Sequence, residues 1–353
     1  MDITVLNRDF IKQGIIDDFS SLIWHRKYHD AGTFQLTCPA SENNLKLIQN
    51  QHLLHKPGAE EAGLIDTYKI TSKDGEEEIE ASGYFLTGLL KRRIIQPQTT
   101  LYDTYTAIMH TLTNSHAGAG AGAKRKFSGL QMPEIPADES EKVRLQVTGK
   151  NLLVYLNALS LASDVGFRIK YMRTFMEFET YKGIDRSVSQ NENARVVFSE
   201  EYENLTSSEY SYSELDKKTA AYVAGEGEGL ARTIRLVDTG ATGWDRFEEW
   251  VDARSSREEG MTDAQYLQLL QEDGLEVLAE AAENFSGSVK DSGASTYLQD
   301  WDLGDIVTIF NKKWDKKISV RITEIEEVTE DNENKIVIYV GSTDPTISDI
   351  LKN

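Results

Sequence analysis

The sequence is poor in the residues that cross-link or interrupt a chain. Its 353 residues include one cysteine, Cys38, and six prolines. A single thiol excludes an intrachain disulfide and a cysteine-based zinc cluster. It falls in the alternation Phe34-Gln35-Leu36-Thr37-Cys38, where it reads as a small core residue. Scarce proline argues against a long disordered stalk. No stretch approaches the ~18 consecutive apolar residues of a membrane-spanning helix. The opening Met1-Asp2-Ile3-Thr4-Val5-Leu6 has neither the basic region nor the apolar run of a signal peptide. The expectation is a soluble protein made in the cytoplasm. Positive charge is also in short supply: 38 Lys and Arg stand against 58 Asp and Glu, a formal net charge of −20. Such a surface repels nucleic acid and anionic membranes. It suits simple solubility, or an enclosed space through which DNA slides without sticking.

Catalytic and metal-binding patterns are missing as well. His25 and His29 lie four apart in a strand-like run, which puts them roughly 13 Å from each other. On a helix the zinc-protease glutamate position between them would hold Arg26. His52 and His55 would face opposite sides of a strand. Gly118-Ala119-Gly120-Ala121-Gly122-Ala123-Lys124 lacks the spacing and ending of a P-loop, and Gly225 to Gly229 carries Glu226 and Glu228, which repel phosphate. The acidic runs Glu76-Glu77-Glu78 and Glu330-Asp331 sit at predicted turns and read as solvated faces. No calcium loop or nucleophile elbow occurs. No residue is therefore assigned a catalytic, cofactor-binding or metal-binding role, no cofactor is expected, and the chain reads as a non-enzyme.

What the sequence does hold is β-pattern. Tyrosine (15) and phenylalanine (12) are plentiful. Strands are expected at Ile3 to Leu6, Ser21 to Tyr28 and Thr33 to Cys38, with a short helix from Ser41 to Gln49 placing Leu45 and Ile48 inward. Asp74-Gly75 between two alternating runs marks a hairpin. Leu101 to Asn114 shows helical spacing, and Ala117 to Ala123 is expected as an exposed, mobile loop. Lys150 to Ser163 is the clearest helix, with Leu152, Leu153, Leu156, Leu159 and Leu161 in one stripe and Gly166 ending it. Thr219 to Ala224 pairs with Leu230 to Val237. Thr262 caps a helix running to Asn284 with a break near Gly274. Ile306 to Phe310, Ile318 to Val328 and Lys335 to Val340 close the chain, with a last turn at Glu330 to Asn334. The layout from Gln51 through the Asp74-Gly75 hairpin is echoed from Gly304 onward.

Several stretches, taken in order, resemble the siphovirus tail-hub (Gp37-like) proteins of phages and prophages of Gram-positive bacteria, relatives of the baseplate hub of contractile-tailed phages. They are Trp24 to Pro39, Leu64 to Gly88 with Arg92-Arg93-Ile94-Ile95, and Lys150-Asn151-Leu152 to Gly166-Phe167. Val196-Val197-Phe198-Ser199 with Asn204-Leu205, Tyr222 to Arg254, and Tyr297 to Val307 continue the series. The resemblance implies an α+β, mainly β fold. It has two barrel-like β-domains, residues 1–98 and 194–353, an α/β middle domain, 99–193, and a helical insertion at about 245–284. It implies a homotrimeric structural hub at the virion tail tip. The distal tail protein and tip or fibre proteins are its expected partners, and genomic DNA passes through the lumen without specific binding. Relatives often continue into a fibre or wall-cutting extension, and this sequence stops at Asn353. A tail-tip hydrolase or carbohydrate-binding module, resting on Trp244, Trp250, Trp301 and acidic pairs, is the competing reading. A host-encoded contractile injection device using the same part is the third.

Overall fold

Period-two alternation sets most of this chain as strand. The computed structural model describes residues 1–135, 140, 142–254, 257, 260–279, 281–289, 295–330 and 333–341. Strand occupies 44% and helix 20%, so the chain is mainly β. It opens with β1 (Ile3–Leu6), β2 (Lys12–Ile16), β3 (Ser21–Lys27), β4 (Thr33–Pro39), α1 (Glu42–Leu47) and β5 (Leu53–His55). The hairpin β6 (Gly63–Lys73) and β7 (Glu76–Phe85) turns on Asp74 and Gly75, whose φ values of 55° and 88° match the turn that strand twist favours. Then come β8 (Thr99–Asp103), α2 (Tyr105–His116), β9 (Leu130–Gln131), β10 (Val143–Val147), α3 (Leu152–Ser163), β11 (Gly166–Tyr171) and β12 (Met176–Tyr181). The rest is β13 (Val197–Ser199), β14 (Leu205–Ser213), β15 (Ala220–Ala224), β16 (Ile234–Asp238), β17 (Glu248–Asp252) and α4 (Asp263–Val277). After these come β18 (Ala282–Val289), β19 (Ile306–Asn311), β20 (Lys316–Glu330) and β21 (Glu333–Gly341).

The elements form two compact units. The first holds Met1–Ser208 and Ser286–Val340, and the second is built on Glu209–Phe285. The main sheet runs β14-β18-β21-β20-β3-β4-β7-β6-β5-β1-β2, with β19 pairing β20 and β13. The joining step is β3 against β20, antiparallel from Ser21↔Glu330 to Lys27↔Glu324. Strands from the two chain ends therefore share one sheet, and among the described residues no closed barrel is found. The echo in the sequence has a counterpart: β5-β6-β7 and β19-β20-β21 are both antiparallel meanders about a long middle strand. Each middle strand bulges once, between Ile65 and Thr67 and between Ile322 and Glu324.

Two clusters of buried side chains make up much of the first unit among the described residues. Ile3, Val5, Leu22, Trp24, Phe34, Leu36 and Cys38 pack with Ile65, Ile79 and Phe85. Burial pushes the Cys38 thiol up to about 12, so it stays protonated. The other core packs α2 and α3 on β11 and β12 through Ile108, Leu112, Leu152, Leu156, Phe167 and Phe178.

Several expectations change at this level. Leu101 lies on β8 opposite Leu145, and the helix begins only after the cap Thr104. Leu45 is exposed, because the Ser41 cap starts α1 so that Asn44 and Leu47 point inward. Leu161 is 53% exposed: at 3.6 residues per turn it lies half a turn from Leu152. Asp164, at φ 52°, closes α3 in the left-handed region, and Gly166 opens β11 where a Cβ would meet the Tyr28 ring at 2.4 Å. The Ala117 to Ala123 tract is exposed at Ala119, Gly120, Gly122 and Ala123 as expected, but its start is anchored. Ala117 is fully buried, its carbonyl accepts from Phe127 N–H at 2.8 Å, and Gly120 N–H donates to Asn114 Oδ1. Of the last turn, Asp331 and Asn332 lie outside the described residues.

In the second unit β15 pairs antiparallel with β16 and parallel with β17, and α4 covers this sheet. Thr262 and Gln265 form the capping box that starts α4. The helix runs unbroken through Gly274 and ends at Val277, and from Ala282 the chain is strand. Gly274 is a close-approach residue: a Cβ there would lie 2.4 Å from Val237 Cγ2 and 2.9 Å from Val223 Cγ2. Alanine has the better helix propensity by roughly 1 kcal/mol, but overpacking costs about 1–3 kcal/mol. Gly274→Ala is expected to lower the thermal midpoint, and a rise would show that this contact relaxes freely.

Candidate functional site

The histidines singled out by the sequence are each engaged separately. His25 lies 2.6 Å from Glu324, His29 Nδ1 lies 2.8 Å from Ser160 Oγ, and His52 and His55 meet the carbonyls of Leu47 and Ala59. Among the described residues no group of three or more His, Cys, Asp or Glu could hold a metal ion. The Gly225 to Gly229 loop packs against α4: Glu226 N–H donates to Tyr266 Oη at 2.7 Å, and a Cβ on Gly225 would strike that oxygen. Of the tryptophans, Trp301 is buried between Phe198 and Tyr297, out of reach of any saccharide. Trp244 is fully exposed, and Trp250 lines an open cleft of about 470 Å³ with Lys218, Glu249 and Asp252 in the second unit.

The densest chemistry lies in the first unit, at a position that alternation hides. On β3 the inward residues are Leu22, Trp24 and Arg26. Arg26 is 4% exposed. Its Nε donates to Glu61 at 3.0 Å, and its Nη1 donates to Asp302 at 2.5 Å and to Tyr297 Oη at 2.8 Å. Tyr297 Oη donates onward to Glu327, which is ion-paired with Lys56. On the other side Glu61 also faces Arg168 at 3.7 Å, and Arg168 pairs with Glu60 and Glu179. Lys170 joins Glu177 and Glu179, and Arg168 lies over the Tyr181 ring at 4.5 Å. Burial alone would raise Glu61, but Arg26 and then Arg168 hold it below the usual carboxylate range. Burial raises the Tyr297 phenol well above its ordinary value, so it remains a hydrogen-bond donor. Among the described residues every charge here has a counter-charge, and the arrangement links β3 to the segments before β6 and β19 and to β11 and β12. Sequence reasoning noted Arg26 only as a residue between two histidines; a charged residue at an inward position of β3 was the available signal.

The fold is shared with structural proteins of phage tails. The tail protein from Neisseria meningitidis MC58 superposes with a TM-score of 0.60 at 10% identity, covering 97% of this chain and 96% of that one. The 43 kDa tail protein of prophage MuSo2 from Shewanella oneidensis gives 0.60 at 13% identity, with 96% and 98% covered. Prophage tail protein gp18 from Listeria monocytogenes EGD-e gives 0.57 at 13%, with 100% and 98% covered. At such identities the likeness is one of fold. The sequence profile of the Siphovirus ReqiPepy6 Gp37-like protein family matches residues 2–342, and the chain belongs to that family. Among curated proteins no sequence matches it.

Removing Arg26 would leave Glu61 and Asp302 without their shared cation. Arg26→Ala is expected to cost about 3–5 kcal/mol in urea unfolding; a loss below about 1 kcal/mol would mean the network relaxes or hydrates. The depressed Glu61 contributes stability that is complete above its ordinary value of 4.5 and is lost as pH falls through the lower folded-state value. The urea midpoint of the wild type should therefore fall more steeply on acidification than that of Glu61→Gln.

Proposed function

We propose that this chain is the structural hub of a bacteriophage or prophage tail tip, a homotrimeric ring joining the tail tube to the host-attachment apparatus. The observation that carries this reading is a sheet that leaves strand edges open, β2 at one end of its order among them. From Thr67 to Lys73, β6 pairs only with β7, and at the far end of the strand order β14 pairs only with β18 among the described residues. Unpaired strand edges invite another chain, and monomeric proteins ordinarily blunt or cover them. A head-to-tail contact between two unlike edges closes into a ring when its rotation permits. The twin meanders support the finer picture of two barrel-like modules per chain, residues 1–98 and 194–353, flanking a middle domain of 99–193. Three copies would then present six modules around the axis.

Three chains of −20 each carry a formal −60, which favours passage of DNA through the lumen over retention. In this reading the partners are the distal tail protein on one side and tip or fibre proteins on the other. The chain is made in the host cytoplasm and ends in the virion tail tip. It works without catalytic, cofactor or metal residues.

Light scattering behind a sizing column should report three times the 39.7 kDa chain mass. A monomer at high micromolar concentration, with the distal tail protein present, would sink the ring. Zymography on Gram-positive cell walls should show no clearing, whereas clearing abolished by one carboxylate substitution would make the chain a hydrolase.

A further inference from the structure

Although the chain carries an excess of 20 negative charges, one surface of the first unit gathers cations with almost no counter-charge. Lys91, Arg92 and Arg93 close a 3-10 helix that follows β7, and Lys124, Arg125 and Lys126 follow the Ala117 to Ala123 turn. Backbone contacts bring the two runs together. Arg93 Nε donates to the Arg125 carbonyl at 2.7 Å, and Arg125 donates to the carbonyls of Ile94 and Gln96. Neutral carbonyls hold these guanidinium groups, so their charge is not cancelled. Partial burial, then Arg125 and Arg92, holds the Arg93 guanidinium below its usual range. Among the described residues, the one ion pair made by these six is Arg92 with Asp66, at 2.9 Å.

The complementary charge sits on the same hairpin. Asp74, Glu76, Glu77 and Glu78 are exposed at the turn between β6 and β7, and none is ion-paired among the described residues. Lys91 Nζ reaches Tyr84 Oη at 3.3 Å and Arg92 reaches Asp66, which anchors the cationic patch at the base of that hairpin. Tyr84 lies eight residues from Glu76 along β7, about 26 Å at roughly 3.3 Å per residue. That is about three Debye lengths at physiological salt, so the two patches cannot neutralise each other within one chain.

We propose that the acidic hairpin tip, Asp74 to Glu78, of one copy docks on the Lys91–Arg93 and Lys124–Lys126 patch of the next. The inference rests on the ring reading and deepens it, since contact between unlike patches of one chain, repeated from copy to copy, propagates head to tail. A second copy fits better than a phosphate polymer. The forks of Arg93 and Arg125 are already turned onto carbonyls and offer little bidentate grip on phosphate. The tip is opposite in sign to the patch, with its four carboxylates facing the five cations other than Arg92, which meets Asp66. Copies this acidic also repel one another unless opposite patches meet.

The test uses the full chain with two charge reversals, Lys124→Glu with Lys126→Glu, and Glu76→Lys with Glu77→Lys. All four positions are exposed, and circular dichroism with the thermal midpoint checks folding. Each pair alone should weaken self-association about tenfold or more in sedimentation equilibrium, and all four together should restore most of it. A trimer that forms but ignores both reversals overturns the docking and leaves the ring reading intact. If the chain is monomeric, the ring reading fails on its own. The docking then stands or falls on whether Glu77→Cys and Lys126→Cys, in one chain at high concentration, give a ladder of disulfide-linked copies or none. Duplex DNA retained by the wild type and lost from Lys124→Glu/Lys126→Glu, with the assembled mass unchanged, assigns the patch to a polyanion and overturns the proposal.

Discussion

The ladder between β3 and β20 is the interaction on which the first unit depends. It joins residues 21–27 to residues 324–330, a separation of about three hundred positions. Closure entropy grows only logarithmically with loop length, about 0.6 kcal/mol per doubling, so such a pairing is far cheaper than its sequence separation implies. Without it the N-terminal and C-terminal strands would be separate sheets, each with another exposed edge. With it, one continuous hydrogen-bonded sheet runs from β14 to β2.

Arg26 makes sense as part of this ladder. It occupies an inward position of β3, where Leu22 and Trp24 supply apolar contacts. A lone buried guanidinium would be prohibitive there. Its three partners come from distant stretches: Glu61 before β6, and Tyr297 and Asp302 before β19. The network therefore checks the register of both chain ends at once, since a one-residue slip would turn Arg26 outward and strand Glu61. Replacing all such groups together with apolar residues can leave stability unchanged or improve it, whereas removing one leaves its partners buried without their counter-charge.

Charge is arranged on the surface by a similar logic. The acidic excess makes copies repel one another, while six of the 38 Lys and Arg gather where β7 runs into the 3-10 helix and after the Ala-Gly turn. Small residues at 117–122 allow that turn to lie directly on the end of α2, where a Cβ at Gly118 would meet Asn114 at 2.8 Å. Composition alone makes such a tract look like a linker; its first residues pack on the end of α2 while Ala119, Gly120, Gly122 and Ala123 stay exposed.

The sequence by itself determined what depends on near neighbours. The Asp74-Gly75 turn, the Ser41 and Thr262 caps, the alternation that buries Cys38 and the mainly β character all rest on contacts within a few residues, and each was legible. The order of motifs was enough to indicate the family. Only tertiary structure decided the roles of Gly166 and Gly274, which are dictated by the Tyr28 ring and by Val237 from elsewhere in the chain. The same holds for Arg26, whose burial is acceptable only because groups up to 276 residues away converge on it. The joining of the chain ends into one sheet was equally hidden, because strand pairing is carried by backbone groups that every residue possesses.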